Sequence, residues 1–387
     1  MKTLLTSPSK MALSPHEMAI YQNVLKHITP LSLNLLAVKV TNRPENFTQW
    51  CKELVDVCSN RINFDLLEPQ QLKPLKKLSD LLASGVSVSQ LRMTNIAPWP
   101  FYVQFLQEQS ENHAVAERQR LLAYIKQHCA GELAQMSLED RLTIAGKHTS
   151  AHDPAVYDFD VQWFGSTKGA KAFHLVLVDC PQRLDAALAH IPAEGEITAK
   201  QFQEFVSDFN NAFAAIDEKP TLAPATRLLA MRRPDQFVVL SSANTSAYNQ
   251  GLSLSLNGNS DFLGYWQWIN QVIHQAHWWR SEQPACENEL SLWHHRAVML
   301  DLMMFADCNT AQKSNYLRLL NKPVKAPSKG TKRTKRTKES AEELVARALA
   351  EDGVEDFIRA QHESIVAQVQ AGKPIAEVIA LIRKIFG

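Results

Sequence analysis

A run of basic residues near the C-terminus divides this chain into parts that must fold separately. Eight lysines and arginines, and no acid, fall between Lys322 and Lys338, together with two prolines and one glycine. Like charges at this density repel one another and cannot enter an apolar core, so the run predicts an extended, flexible linker over residues 322–339. The chain therefore has to build a body before the linker and a smaller unit after it.

The segments before the linker carry the apolar spacing of amphipathic helices. In "FTQWCKELVDVC", residues 47–58, apolar side chains recur every three or four positions, as on the buried face of a helix. Ser14, Pro15 and Glu17 predict a helix start with a capping box, and Gly85 predicts a helix end. One segment, "FHLVLVDC" at 173–180, fits either a strand or a buried helical turn.

The predicted fold class is mainly α, with two helical domains followed by the basic linker and a small helical tail. The chain has 387 residues and is 45% hydrophobic, which is enough for two packed cores and an appendage. An irregular, aromatic-rich stretch after residue 150 predicts a boundary between a helical domain over 1–150 and a second one over 151–321. Ser340 and Glu343 then predict a capping box that opens a tail over 340–387. Such a small core is weak alone, so we expect the tail helices to dock on another protein.

The distribution of charge points to a nucleic acid as the partner of the linker. Residues 322–338 carry +8 and residues 339–387 carry −4, which leaves −3 on residues 1–321 of a chain whose net charge is +1. Clustered positive charge binds DNA phosphates through counterion release, and without aromatic side chains it reads no sequence. An acidic protein surface and a purely solubilising role are the alternatives. The candidate contacts here are Lys329, Lys332, Arg333, Lys335, Arg336 and Lys338.

Two segments of the body supply further candidate DNA contacts. "FGSTKGAK", residues 164–171, is a loop of small residues with Lys168 and Lys171, a composition that can hold a phosphate. It does not meet the Walker pattern, so a nucleotide triphosphatase is not predicted. "ATRLLAMRRPDQ", residues 225–236, places Arg227, Arg232 and Arg233 around a predicted helix end. The alternative for these arginines is that they satisfy the carbonyl groups of that helix end.

Enzymatic chemistry has weaker support in the sequence. Asp158, Asp160 and Asp179 lie near Lys168 and Lys171, and paired acids with a lysine could coordinate magnesium and polarise a phosphate. The strand with an acid-x-lysine pattern that such nucleases need does not follow Asp179. The histidines at 274, 277, 294 and 295, with the cysteine at 286, match no zinc-binding spacing. We therefore predict no metal or cofactor and leave open whether the chain is an enzyme.

The cysteines and the apolar runs predict a location. Six scattered cysteines without a CxxC pair are typical of reduced thiols inside a cell. No run of about 18 apolar residues occurs, and the first residues lack the apolar core of a signal peptide. The expectation is a cytoplasmic protein without a membrane partner.

A series of motifs extends over about residues 155–305. It includes "FGSTKGAKAF", "ATRLLAMRRPDQFVVLSSANTSAYNQGLSL", "YWQWINQVIHQAHWW" and "LWHHRAVMLDLMMF". In order and spacing these motifs resemble a family of bacterial proteins, of unassigned chemistry, that occurs with restriction and antiphage-defence genes. The family pattern carries an aspartate where this chain has Ser241, so any chemistry of that aspartate would be missing here. The resemblance implies a role in defence against mobile DNA.

Together these features predict a non-catalytic, DNA-associated subunit of a bacterial antiphage-defence assembly. On this hypothesis the second domain and the linker bind DNA backbone without sequence specificity, and the tail docks a partner protein. The alternatives are a magnesium-dependent nuclease of a defence system and a purely protein-binding adaptor.

Overall fold

The chain forms a mainly α-helical structure, as the sequence predicts. The computed structural model describes residues 2–3, 13–31, 39–40, 44, 46–62, 65, 67–216, 218–305, 311–321, 340–350, 354–371 and 373–386. Two compact units divide the chain at the predicted linker, Met1–Lys322 and Pro323–Gly387. Within the described ranges, no helix combines the length and apolar character needed to cross a membrane.

The first unit holds the larger set of helices. A two-residue antiparallel pair, β1 (Lys2–Thr3) and β2 (Lys39–Val40), accompanies them. π-helical turns at Val57–Arg61 and Ile269–Ile273 extend the second and twelfth helices. The helices are α1 (Pro15–Ile28), α2 (Phe47–Asp56), α3 (Pro69–Ile96), α4 (Trp99–Glu108), α5 (Val115–His128), α6 (Leu138–Ala145), α7 (Lys171–Asp179), α8 (Pro181–Ala189), α9 (Ala199–Asn211), α10 (Leu222–Arg232), α11 (Thr245–Leu252), α12 (Phe262–Trp268), α13 (Glu287–His294) and α14 (Asn315–Leu320).

The described residues of the second unit form four short helices around a small core. They are α15 (Ala341–Leu349), α16 (Asp356–Arg359), α17 (His362–Gln370) and α18 (Ile375–Phe386). The predicted capping box at Ser340 and Glu343 is confirmed, with Ser340 N donating to Glu343 Oε2 at 2.9 Å. The buried side chains of this core are Val345, Leu349, Ile358, Ile365, Val366, Val378 and Ile382.

Local signals in the sequence located the starts of α1 and α15 but placed one helix end wrongly. The capping box of α1 is confirmed, since Ser14 N donates to Glu17 Oε2 at 2.8 Å and Glu17 N donates to Ser14 Oγ at 3.3 Å. The helix end predicted at Gly85 is wrong, because α3 continues through it to Ile96. A β-carbon on Gly85 would lie 3.1 Å from Ile20 Cγ2 of α1. This glycine therefore serves close packing of two helices rather than a helix end. The ambiguous segment at 173–180 is helical and belongs to α7.

Two hydrophobic clusters form the core of the first unit. The smaller one lies between α1, α2 and the first half of α3, around the buried Trp50. The larger one begins at Val88 and ends at Met304, and includes Tyr102 stacked on Trp278 with ring centres 4.5 Å apart. The domain boundary predicted near residue 150 is not confirmed, because side chains from both sides of it share this larger cluster.

Candidate nucleic-acid interface

The loop that leads into α7 carries both lysines predicted to contact phosphate. Lys168 and Lys171 are exposed, and Lys171 is the first residue of the helix. Ala170, at the N-cap position, supplies no side-chain cap, and no acidic residue occurs in the first turn. The positive end of the helix dipole repels cations and attracts anions. An uncapped helix start beside two ammonium groups is an arrangement that binds phosphate.

Thr167 fixes this loop to the neighbouring helices. Its hydroxyl donates to Ala145 O at 2.5 Å, and its backbone N–H donates to Gly146 O at 3.3 Å. His174 of α7 lies with Nε2 at 2.9 Å from Thr167 O, so that nitrogen carries the proton and donates. Burial lowers the pKa of His174, which keeps the ring neutral near pH 7. The loop is thus tied to the end of α6 and to α7.

Two glycines allow the loop to lie against α6 and against the segment before α11. Gly146 has a φ of +73°, and a β-carbon there would lie 2.6 Å from Gly165 O. Gly165 has a φ of +120°, and a β-carbon there would lie 2.9 Å from Val239 Cγ1 and 3.8 Å from Ser241 Cβ. A β-carbon at Gly146 would push two backbones apart, and one at Gly165 would displace the Val239 side chain. Ser241 therefore borders the lysine loop.

The fold adds two basic residues that the sequence did not single out. Lys147 follows Gly146 and is half-buried. Burial is the largest cause of the lowered pKa of His174, and the positive charge of Lys147 lowers that pKa further. Lys147 therefore lies near His174 of α7. Arg318 of α14 is exposed. Burial lowers the pKa of His148 most, and the positive charge of Arg318 lowers that pKa further, so Arg318 lies near His148. Each is an isolated basic residue in sequence, so no local pattern could have identified it.

Arg227 does not contact DNA, in contrast to the prediction, because it is completely buried. Its guanidinium donates to Ile144 O at 2.8 Å, Thr143 O at 3.2 Å and Val161 O at 3.1 Å, and also to Trp163 O. Burial lowers its pKa to about 9, which leaves it charged at pH 7. Arg227 thus joins the end of α6 to the segment before the lysine loop and positions the site from within.

Arg233 is also a structural residue rather than a surface contact. It is 4% exposed and forms an ion pair with Asp235, with Nε at 2.8 Å from Oδ1. Its remaining donors reach Pro192 O at 2.9 Å and Gly195 O at 2.7 Å, in the turn between α8 and α9. Arg232 is half-buried and donates to Ala130 O at 3.2 Å, beyond the end of α5. The alternative that these arginines satisfy the carbonyl groups at the end of α10 does not describe them either, because the carbonyl groups that Arg227 and Arg233 reach belong to other segments.

Arg118 holds the other side of the segment before the lysine loop. Its Nη1 lies 2.6 Å from Asp301 Oδ2, and both side chains are buried. The guanidinium carbon lies 4.3 Å from the ring centre of Trp163 and 5.0 Å from that of Phe164. Since Phe164 has a φ of +67°, an uncommon conformation for a bulky residue, this stacking helps to hold a strained turn.

Two of the three carboxylates of the nuclease alternative, Asp158 and Asp160, are engaged in structural contacts. Asp158 pairs with Arg120, whose Nε lies 2.9 Å from Oδ2. Asp160 is 6% exposed and accepts from Asn315 N at 2.6 Å, which anchors α14. Asp179 is exposed at the far end of α7 from Lys171, about 12 Å along the helix axis. The three acids and the lysines therefore do not converge on one point.

Of the histidines weighed for a metal site, His274 has a structural role. His274 Nε2 donates to Gln236 O at 3.0 Å, and its ring stacks on that of Trp279 with ring centres 4.0 Å apart. In the part of the chain that the structure describes, no group of three or more histidine, cysteine, aspartate or glutamate side chains is arranged to hold a metal ion.

The predicted contacts of the linker lie outside the described residues. These are Lys329, Lys332, Arg333, Lys335, Arg336 and Lys338. The described segment that precedes them includes α14, which Asp160 fixes to the body through Asn315.

Comparison of the sequence with protein-family models, with curated proteins and with solved structures found no match.

Proposed function

We propose that this protein is a non-catalytic, DNA-associated subunit that binds DNA backbone without sequence specificity and docks a partner protein through its C-terminal helices. The observation that carries the proposal is the uncapped start of α7 with Lys168 and Lys171 exposed beside it. The helix dipole repels the positive charges of lysines at this end of the helix, and a bound phosphate would offset that repulsion.

The linker adds a second source of affinity for DNA. It begins just after α14, and α14 carries Arg318 and lies against the segment that precedes the lysine loop. Eight positive charges within residues 322–338 would release counterions from a duplex in a way that depends on salt and not on base sequence.

The second unit supports the docking part of the proposal. Among the residues that the structure describes, its core has seven buried side chains, which is small for an independent fold. Leu381 of α18 is 48% exposed, so apolar surface remains available on the last helix. An amphipathic helix of this kind fits a groove on another protein. The defence setting rests on the resemblance of residues 155–305 alone.

The test is fluorescence anisotropy of labelled duplex DNA with full-length protein over a series of salt concentrations. Charge reversal at Lys168→Glu and Lys171→Glu removes two phosphate contacts, so we expect the slope of log affinity against log salt to become shallower by about 2. The matched control is Lys76→Glu with Lys77→Glu, two exposed lysines of α3 that change the net charge equally.

The outcomes separate the candidate functions. Equal losses of affinity in both charge-reversed proteins would show a general charge effect and contradict the site at α7. No binding by the unaltered protein would favour the protein-binding adaptor. Cleavage of the labelled DNA when magnesium is added would favour the nuclease.

A further inference from the structure

The outward face of α7 carries two large apolar side chains that lie in solvent in the part of the chain that the structure describes. Leu175 is 54% exposed and Val178 is 46% exposed, and they lie one turn apart on the same side of the helix. Single exposed apolar residues are normal on a protein surface, whereas adjacent ones form a patch that a partner can cover. The other large apolar side chains of the helix are buried, namely Phe173, Val176 and Leu177.

Two opposite charges lie at equal distances from Leu175. Lys171 is four residues before it and Asp179 is four residues after it, so each lies about 6 Å from Leu175 along the helix axis. At 3.6 residues per turn, these three residues and Val178 fall within an arc of about 100° of the helix surface, and all four are exposed. Among the described residues, no ion pair includes Lys171 or Asp179. The face therefore has an apolar centre, a cation at one end and an anion at the other.

This pattern is complementary to itself under a two-fold rotation. If a second copy of α7 packs antiparallel, with its Leu175 against Leu175 of the first, Asp179 of each copy comes level with Lys171 of the other. Contacts across a two-fold axis are reciprocal, so both ends of the face gain an opposite charge at once. A partner of a single charge would be repelled at one end of the face. A second copy of this chain is thus the partner that the charges fit.

We propose that the exposed face of α7 is a homodimer interface, in which two copies of the helix pack antiparallel with their Leu175 side chains in contact at the centre. Leu175 and Val178 supply most of the affinity, because ion pairs at an exposed rim add little. The pairs between Lys171 and Asp179 fix the antiparallel orientation. One short helix buries less area than a standard protein interface, so the self-association is weak and depends on protein concentration.

Sedimentation equilibrium of the full chain without DNA, at protein concentrations up to about 1 mM, measures this self-association. Leu175→Gln removes apolar contact from both sides of the two-fold axis, and we expect the dissociation constant to rise at least about tenfold. Leu263→Gln is the matched control, since this leucine of α12 is 60% exposed and lies outside the proposed interface. The control should self-associate as the unaltered protein does.

Exchange of the two charges tests the orientation. Lys171→Asp alone sets carboxylates level with each other, and Asp179→Lys alone sets ammonium groups level with each other. Each change should therefore raise the dissociation constant at least about tenfold. An equimolar mixture of these two variants restores opposite charges at both ends, and so does the double variant Lys171→Asp with Asp179→Lys. Both are expected to associate nearly as tightly as the unaltered protein.

Any of three results would overturn the proposal. They are a monomer at every concentration, self-association that Leu175→Gln leaves unchanged, and no recovery of association in the mixture and the double variant. A DNA phosphate and a second copy would compete for Lys171, so DNA is left out of these measurements. Failure of the self-association is therefore distinguishable from failure of the proposed function, which the anisotropy assay measures.

Discussion

Arg227 Nε donates a hydrogen bond to Ile144 O at 2.8 Å, deep inside the first unit. Through this bond a residue of α10 fixes the end of α6, next to the loop that carries Lys168. The contact joins positions 83 residues apart. An arginine from a basic cluster in the sequence thus forms hydrogen bonds inside the fold. Those bonds hold the backbone beside the loop that carries the exposed Lys168.

Replacing Arg227 with methionine should destabilise the first unit strongly. The change leaves the carbonyl groups of Thr143, Ile144, Val161 and Trp163 without this buried donor, and we expect a loss of at least about 3 kcal/mol in the free energy of unfolding. Urea unfolding followed by circular dichroism measures it. Arg183→Met, at an exposed position of α8, is the control and should change stability by no more than about 0.5 kcal/mol. Equal stability of the two variants would contradict the internal role of Arg227.

Gly146→Ala should displace the lysine loop. The alanine would have to adopt a φ of +73°, with its β-carbon 2.6 Å from Gly165 O. The strained conformation alone costs about 1–3 kcal/mol. Gly169→Ala is the matched control, because a β-carbon at Gly169 meets no atom within 4 Å. Thermal unfolding compares their stabilities, and the salt-dependent anisotropy assay should show weaker DNA binding for the Gly146 variant only. A tolerated Gly146→Ala would show that the two backbones can separate without consequence.

Stability should fall as the pH decreases from 6.5 toward 4. Burial lowers the pKa of His113 and of His295 from 6.5 to about 4. In this window the unfolded chain binds more protons than the folded chain does, so protonation favours unfolding, and the stabilisation is fully present above pH 6.5. Each histidine contributes a slope of up to about 1.4 kcal/mol per pH unit. Urea unfolding between pH 4 and 7 should show a shallower slope for His295→Gln than for the unaltered protein. His277→Gln, at an exposed position, should keep the full slope.

Deleting residues 340–387 should abolish binding of a partner protein and leave DNA binding in place. The four helices of this segment form their own buried cluster. The lysine loop and the linker are retained after the deletion. Co-purification from the native host, compared with anisotropy on DNA, measures both properties. A partner complex that survives the deletion would refute docking by the tail. A loss of DNA binding would place phosphate contacts within the tail.

Full-length protein in which the eight linker lysines and arginines are replaced by serine should retain only weak DNA binding. Contacts with eight phosphates give a slope of log affinity against log salt of about −7, and their removal should leave a slope of about −2 from the two lysines at α7. The same number of substitutions among exposed lysines and arginines elsewhere on the chain serves as the control. An unchanged slope after neutralisation would assign no DNA contact to the linker.

The sequence by itself determined the mainly α fold class and the division of the chain near the basic linker. It also determined the capping boxes at Ser14 and Ser340. These features depend on charge, on apolar spacing along one helix and on contacts within four residues, which are all visible in a single stretch of sequence. They require no knowledge of which helices meet.

Only the tertiary structure decided which basic residues face solvent. Arg227 and Lys168 look equally suited to phosphate in the sequence, yet one donates to carbonyl groups from 64 to 84 residues away and the other is exposed. The same applies to Gly85, which permits contact with Ile20 instead of ending a helix. Burial and long-range hydrogen bonding depend on how distant segments pack, and no pattern within one segment specifies that packing.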